Sequence, residues 1–164
     1  MPNRRPIAIR ATEAPPRTRP SRYPPDLLAQ VGARDRHPLG SRRGSAATGL
    51  RSFGVNLTQL PPGTASALRH AHALQDEFVY VLEGTPTLVM DAGETPLSPG
   101  MCAGFPAGTG DAHHLVNRSA AEVLYLEIGD RTRGDSVDYP DDDLMVRPDA
   151  EGRPRYLRKD GTPI

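Results

Sequence analysis

The chain has 164 residues and no net charge, with 20 basic and 20 acidic side chains. Its length suits one folded domain with flanking segments, and its 16 glycines and 18 prolines disfavour a helical bundle and favour many short strands. No run of residues is apolar enough to cross a membrane, residues 1–10 lack a secretory signal, and the single cysteine, Cys102, excludes an internal disulfide. We therefore expect a soluble, cytoplasmic protein.

The N-terminal region, residues 1–51, is predicted to be an extended arm with one short helix. Residues 1–22 combine five prolines with six arginines and show no apolar periodicity, which is typical of an extended chain. Farther along, Pro24 and Pro25 are suited to begin a short helix that Gly32 ends.

Charge is distributed unevenly between this arm and the residues that follow. Residues 1–51 contain eleven arginines and three acidic residues, a net charge of +8, whereas residues 52–130 contain two arginines and nine acidic residues, a net charge of −7. A basic arm can bind nucleic acid with an affinity that falls steeply with salt. This one has a single aromatic residue, Tyr23, and many prolines, so nucleic-acid binding is disfavoured. We expect the arm to lie across the acidic region of its own chain or of a second subunit.

Residues 52–130 are predicted to form a series of short antiparallel strands. Phe53, Val55 and Leu57 alternate with small or polar residues, the pattern of a half-buried strand. Seven more predicted strands follow, at 67–72, 77–82, 85–90, 95–98, 101–105, 111–117 and 122–128. Turn-forming residues separate them and no helical pattern interrupts them, so the sequence favours a sandwich or barrel and excludes a parallel sheet. Residues 131–164 return to charge and proline and are predicted to be an irregular tail that packs on the barrel.

Several polar side chains are predicted to meet at one place on this barrel. His70 and His72 lie two residues apart on a predicted strand, so their imidazoles project from the same face. Glu77 begins the next strand after a four-residue connection, which returns its carboxylate to the histidines. Two imidazoles and one carboxylate suit Fe, Mn, Ni, Cu or Zn and leave coordination positions open. A fourth ligand would be His113 or His114, because adjacent strand residues point to opposite faces.

One further acidic residue, Glu127, is a candidate general base. It lies on the last strand predicted for the barrel and shares a face with Tyr125. The opposite face carries Leu124, Leu126 and Ile128, which are the more natural filling for a barrel. We expect these apolar residues to point inward, which disfavours a catalytic role for Glu127.

Residues 63–84 resemble the first motif of the cupin superfamily. His70, His72, Glu77 and a closing Gly84 stand at the spacings of that motif, and one extra residue precedes the first histidine. Because four positions agree over this length, the match is far more specific than an isolated pair of histidines.

Residues 100–117 resemble the second cupin motif with one departure. Two extra residues follow Gly108, so counting forward along the motif would select Asp111 as the ligand, whereas counting back from Asn117 selects His113. We favour His113, because Asp111 lies in a turn-forming sequence.

The resemblance covers about residues 52–130 and extends to small, single-domain bacterial cupins of unassigned activity. It implies an all-β fold, a double-stranded β-helix or jelly-roll barrel. It also implies one divalent transition metal, Fe, Mn, Ni or Zn, bound by His70, His72, Glu77 and His113.

For function, the resemblance favours a metal-dependent enzyme that acts on a small polar molecule by oxygenase or isomerase chemistry. The alternative is a non-catalytic cupin that binds a small ligand or has a regulatory role. We also expect a homodimer, because a small jelly roll exposes sheet edges and an apolar face that swapping an N-terminal strand between two copies would cover.

Overall fold

Twelve β-strands and one short α-helix make up most of the ordered elements in the computed structural model, which describes residues 8–18, 20–40 and 48–164. In chain order they are a 3-10 turn at Ala11–Glu13, α1 at Pro25–Val31, β1 at Asp35–Gly40, β2 at Phe53–Leu60, β3 at Ala71–His72, β4 at Glu77–Glu83, β5 at Thr87–Met90, β6 at Gly93–Pro96, β7 at Cys102–Phe105, β8 at His114–Val116, β9 at Val123–Asp130, β10 at Val137–Tyr139, β11 at Leu144–Pro148 and β12 at Pro154–Leu157. No helix within the described ranges is both long and apolar enough to cross a membrane.

The strands form three antiparallel sheets that build the predicted jelly-roll barrel. Their orders are β1-β2-β9-β4-β7, β6-β5-β8 and β12-β11-β10-β3. The main core lies inside the barrel and consists of Leu60, Val79, Val81, Leu88, Leu97, Phe105, Leu115, Val123 and Tyr125. Each of the eight strands predicted for residues 52–130 has a counterpart, although the strand predicted at 67–72 shortens to Ala71–His72. The all-β fold class is confirmed.

The N-terminal region is more ordered than the sequence indicates. The predicted helix is confirmed as α1, and Gly32 follows it at φ 75°, where an added Cβ would collide with the side chain of Thr64. β1 then pairs with β2 at the edge of the largest sheet. The sequence of β1 hides this strand because it lacks apolar alternation and contains Pro38, which is tolerated at a sheet edge. Residues 1–7, 19 and 41–47 of the predicted arm lie outside the described residues.

The C-terminal segment is not irregular, which corrects the prediction for residues 131–164. It contains β10, β11 and β12, and β10 pairs with β3 so that Val137 lies opposite His72. A second apolar cluster fixes these strands and contains Val31, Leu68, Val137, Tyr139, Leu144 and Val146. The strands are only three to five residues long and are separated by charged turns, so their alternation is too short to stand out in the sequence.

The outer face of the largest sheet exposes the apolar patch that the predicted homodimer would bury. Phe78 and Tyr80 are exposed on β4 and lie opposite Ile128 and Leu126 of β9 in the strand register. Because an exposed patch that crosses neighbouring strands is typical of an interaction surface, the homodimer stays a prediction with a defined location.

The homodimer prediction is checked by sedimentation velocity at micromolar concentration. We expect a dimer for the wild type and a shift to monomer for Phe78→Asp, since an unpaired charge would enter the interface. Leu74→Asp is the matched control, because Leu74 is exposed on a loop and not on this sheet. A monomeric wild type would contradict the prediction.

Candidate metal centre

Three histidines surround a single carboxylate oxygen, Oε2 of Glu77, at one end of the barrel. Their Nε2 atoms lie 3.3 Å from this oxygen for His70, 3.6 Å for His72 and 3.2 Å for His113. Atoms of His70, Glu77 and His113 that can act as ligands all lie within 4.8 Å of one another. Ligands bound to one first-row ion at about 2.1 Å lie about 3 to 4 Å apart, so this spacing suits a single metal ion.

Backbone pairing places these residues together. His70 and His113 form an isolated bridge in which each amide donates to the other's carbonyl, at 3.1 and 2.9 Å. His72 ends β3 and Glu77 begins β4, so the short connection between them returns the carboxylate to the histidines as the spacing predicts.

His113 faces the cluster and His114 does not. The ring of His113 stacks on Phe105 with centroids 3.5 Å apart and planes 3° from parallel. His114 points away, and its Nδ1 lies 3.0 Å from the carbonyl oxygen of Ala67. Asp111, the other residue that the motif spacing allowed, accepts a hydrogen bond from the amide of Asp91 in a neighbouring turn.

The hydrogen bonds of His70 and His72 show which ring nitrogens face Glu77. Nδ1 of His70 lies 2.8 Å from the carbonyl oxygen of Leu68, and Nδ1 of His72 lies 2.5 Å from Oδ2 of Asp135. Both oxygens are acceptors, so each Nδ1 carries a proton and it is the Nε2 atom of each ring that faces the Glu77 carboxylate. At 3.3 and 3.6 Å each Nε2 can donate a proton to the carboxylate in the metal-free protein, or, in the neutral ring, offer its lone pair to a metal ion that the carboxylate also binds. The donor set therefore fits a metal ion.

Electrostatics keep Glu77 ionised at this position. Burial raises the pKa of the Glu77 carboxyl, but hydrogen bonds from His113 and His70 and the nearby histidine charges outweigh it and hold the pKa well below its usual range. Burial lowers the pKa of His113, which favours the neutral form that binds metal.

Asp135 is a positioning residue that sequence analysis missed. Its side chain is 9% exposed, its Oδ2 accepts the Nδ1 proton of His72, and its Oδ1 accepts the amide hydrogen bond of Leu74 at 2.8 Å. A carboxylate behind a histidine fixes the tautomer and orientation of a metal ligand. No sequence signal marks Asp135, because it reaches His72 through the pairing of β10 with β3.

Asp135→Asn is expected to lower the pKa of His72 in the metal-free protein. Burial by itself lowers this pKa, but the hydrogen bond to Asp135 and the charge of Glu77 outweigh it, so the net shift is upward. Removing the Asp135 charge removes part of the upward shift, and His72 should then lose its proton at lower pH. Histidine ring resonances followed by NMR across pH measure this, with Asp111→Asn as the control. An unchanged titration of His72 would contradict the assignment.

A cavity of about 130 Å³ opens beside the histidine cluster. His70, Glu77 and His113 form part of its wall. The remaining wall contains several polar side chains, namely Tyr23, Arg34, Arg36, Ser66, Tyr125 and Glu127. Tyr139 stacks on His70 with ring centroids 5.8 Å apart, and Tyr23 contacts Tyr139 edge to face. The arm and the C-terminal strands therefore both contribute to the surroundings of the cluster.

The inward face of β9 is the opposite of the predicted one. Tyr125 is 1% exposed within the main core and Glu127 lines the cavity, whereas Leu124, Leu126 and Ile128 are half-buried on the outer face. The prediction that the leucine face points inward is wrong because the outer face of this sheet is apolar as well. Hydrophobicity by itself therefore did not distinguish the two faces.

Two side chains hold the carboxylate of Glu127 in place. Nη2 of Arg36 lies 2.8 Å from its Oε2, and Nδ2 of Asn56 donates to its Oε1 at 3.2 Å. The Arg36 and Glu127 side chains are 16% and 19% exposed. The basic arm therefore reaches the acidic region of its own chain, as one of the two predicted arrangements requires.

Fold and site together define a jelly-roll protein with a histidine and carboxylate cluster in its barrel. Residues 56–129 match the family model described as the cupin domain. The chain belongs to the cupin superfamily. No match was found among curated proteins.

Solved structures support this assignment. The chain is 47% identical to a protein from Silicibacter pomeroyi DSS-3 described as a sugar phosphate isomerase from the cupin superfamily, with 88% of each chain covered and a TM-score of 0.78. It is 31% identical to a protein from Acidithiobacillus ferrooxidans ATCC 23270 described as a proposed sugar phosphate isomerase, with 79% of this chain and 80% of that chain covered and a TM-score of 0.66. A polyketide cyclase from Streptomyces resistomycificus, 20% identical over 75% of this chain and 78% of its own with a TM-score of 0.58, shares the fold.

Proposed function

We propose that the protein is a metal-dependent isomerase that acts on a small compound with a carbonyl group next to a hydroxyl-bearing carbon. The observation that carries the proposal is that Glu127, a carboxylate outside the histidine cluster, lines the same cavity as His70, Glu77 and His113. Proton transfer next to a metal centre needs such a second titratable group. An entirely apolar wall would have favoured a ligand binder.

His70, His72, Glu77 and His113 would hold one divalent transition metal, which fits the mixed nitrogen and oxygen donors. A bound divalent ion supplies Lewis-acid polarisation of a substrate oxygen. Four protein ligands would leave coordination positions open for substrate or water.

Glu127 would move the proton in this reaction. Its carboxylate would take a proton from the hydroxyl-bearing carbon and, after exchange with solvent, deliver a proton to the former carbonyl carbon. The hydroxyl proton passes to the former carbonyl oxygen, so the hydroxyl and carbonyl exchange places without an oxidant or reductant. Arg36 and Asn56 orient the two carboxylate oxygens. Burial raises the pKa of Tyr125, which keeps its phenol neutral as a hydrogen-bond donor.

Similarity to other proteins supports isomerase chemistry over oxygenase chemistry. Of two similar proteins, the one that is 47% identical is described as a sugar phosphate isomerase and the one that is 31% identical as a proposed sugar phosphate isomerase. A phosphorylated aldose or ketose is therefore the first substrate class to test.

Deuterium uptake from ²H₂O tests the proposal directly. Protein loaded in turn with Fe, Mn, Ni or Zn is incubated with aldoses and ketoses, with and without phosphate, and both interconversion and deuterium on carbon are followed by NMR. Interconversion with solvent deuterium on carbon supports the isomerase. Oxygen consumption without interconversion would favour an oxygenase, and saturable binding without turnover would favour the ligand-binding alternative; either result contradicts the proposal.

A further inference from the structure

Two arginines of the N-terminal segment line the cavity beside the histidine cluster. Arg34 follows Gly32 and precedes β1, while Arg36 lies on β1 opposite Thr58 of β2. The turn at Gly32 is fixed by a hydrogen bond from the Ala65 amide to the Val31 carbonyl at 2.9 Å. This contact ties the arginine segment to the chain that leads into His70.

Both arginines have a buried hydrogen-bond donor without a partner. Arg36 makes an ion pair with Glu127 at 2.8 Å, and its Nη2 also donates to the Ser66 carbonyl at 3.3 Å. The buried Nε atoms of Arg34 and Arg36 both lack a hydrogen-bond partner among the described residues. A buried donor without a partner is costly in a folded protein, and a partner is expected from solvent or ligand.

The charge of the wall favours an anion once a metal ion is bound. Arg34 and Arg36 are balanced by Glu77 and Glu127 in the metal-free cavity. A divalent ion adds two positive charges, so the loaded cavity attracts a negatively charged group. Guanidinium groups bind carboxylate and phosphate oxygens with two parallel hydrogen bonds.

We propose that Arg34, assisted by Nε of Arg36, binds an oxoanion of the substrate, a phosphate or a carboxylate, beside the histidine and carboxylate cluster. The inference deepens the proposed function, because it assigns the part of the cavity that selects a charged substrate. An enclosed cavity of about 150 Å³ holds a benzene-sized molecule of six heavy atoms. The cavity of about 130 Å³ therefore has room for a phosphate or a carboxylate group, while the rest of the substrate extends toward solvent.

Isothermal titration calorimetry on the full chain tests this oxoanion-binding site, which we call the anion subsite. Inorganic phosphate and acetate are titrated separately into the metal-loaded protein and into the metal-free protein. We expect the loaded wild type to bind at least one of the two anions, and Arg34→Gln to weaken that binding about 10- to 100-fold, as expected for loss of a charged hydrogen bond. Arg34→Lys should retain part of the affinity. Tighter phosphate binding identifies a phosphate ester as the ligand class, and tighter acetate binding identifies a carboxylate.

Arg118→Gln is the matched control, since it removes an equal charge from a surface pair with Glu94, and it should leave the affinity unchanged. The inference is overturned if the metal-loaded wild type binds neither anion, which would mean that only water contacts the Nε donors of Arg34 and Arg36. It is also overturned if folded Arg34→Gln and Arg34→Lys bind like the wild type, or if Arg118→Gln weakens binding equally. Because calorimetry needs no turnover, it tests anion binding independently of isomerisation. Absence of anion binding would contradict the anion subsite even if isomerisation is observed, and anion binding would support it even if isomerisation is not observed.

Discussion

Glu127→Gln is expected to reduce isomerase turnover about 10²- to 10⁴-fold, the usual contribution of general acid–base catalysis. The amide keeps the shape of the side chain and can still contact Asn56, but it cannot take a proton from carbon. Glu127 lies in the cavity and is not one of the residues around Oε2 of Glu77. The bound metal should therefore stay at the wild-type amount while deuterium exchange into the substrate falls in parallel with turnover.

Two further variants separate catalysis from structure in that experiment. Glu127→Gln leaves the buried Arg36 charge without its partner, so thermal unfolding must show that the variant is folded at the assay temperature. Glu127→Asp keeps a carboxylate and should recover part of the activity. Glu122→Gln serves as control, because Glu122 is an exposed partner of Gln59. Wild-type turnover in folded Glu127→Gln would remove the residue from the mechanism.

Leu144→Ala is expected to lower the free energy of unfolding by about 2 to 5 kcal/mol, the range for truncating a fully buried leucine. Leu144 is 0% exposed and packs in the second apolar cluster with Val137 and Tyr139 of β10. Since β10 pairs with β3, loosening this cluster should also weaken metal binding through His72 and Asp135. Denaturant unfolding of the metal-free protein measures the stability change.

Leu74→Ala gives the comparison for this effect. Leu74 is 49% exposed, so its truncation should change the free energy of unfolding by no more than about 0.5 kcal/mol. If Leu144→Ala were equally mild, the C-terminal strands would not form part of the cooperative fold.

The proximity of the four residues proposed as metal ligands was predictable, because their positions depend on short-range geometry. His70 and His72 lie two residues apart on either side of Ala71, where β3 begins, and Glu77 follows after one short connection. His113 was harder, since two extra residues lengthen the preceding loop. Gly108 and Gly110 take up this length at φ 74° and 76°, and the Gly108 amide donates to the His72 carbonyl at 2.9 Å. The loop therefore accommodates two more residues than the motif has, and His113 still faces the cluster.

The residues that sequence analysis missed depend on pairings between distant parts of the chain. Asp135 reaches His72 only because β10 adds to β3, and Arg36 reaches Glu127 only because β1 adds to β2. The face of β9 was assigned wrongly because both of its faces are largely apolar. Local patterns identified the barrel and the histidine cluster, whereas the cavity wall depended on long-range register.

Metal content measured by plasma mass spectrometry on dialysed, untagged protein shows whether the histidine and carboxylate cluster binds a metal ion. We expect about one divalent transition metal per chain in the wild type, loss of that metal in His70→Ala, and a reduced amount in His113→Ala. His114→Ala is the matched control and should keep the metal, because its ring points to the carbonyl of Ala67 and away from the cluster. Little metal in the wild type even after reconstitution, or full metal in His70→Ala, would mean that the cluster is not the proposed metal centre.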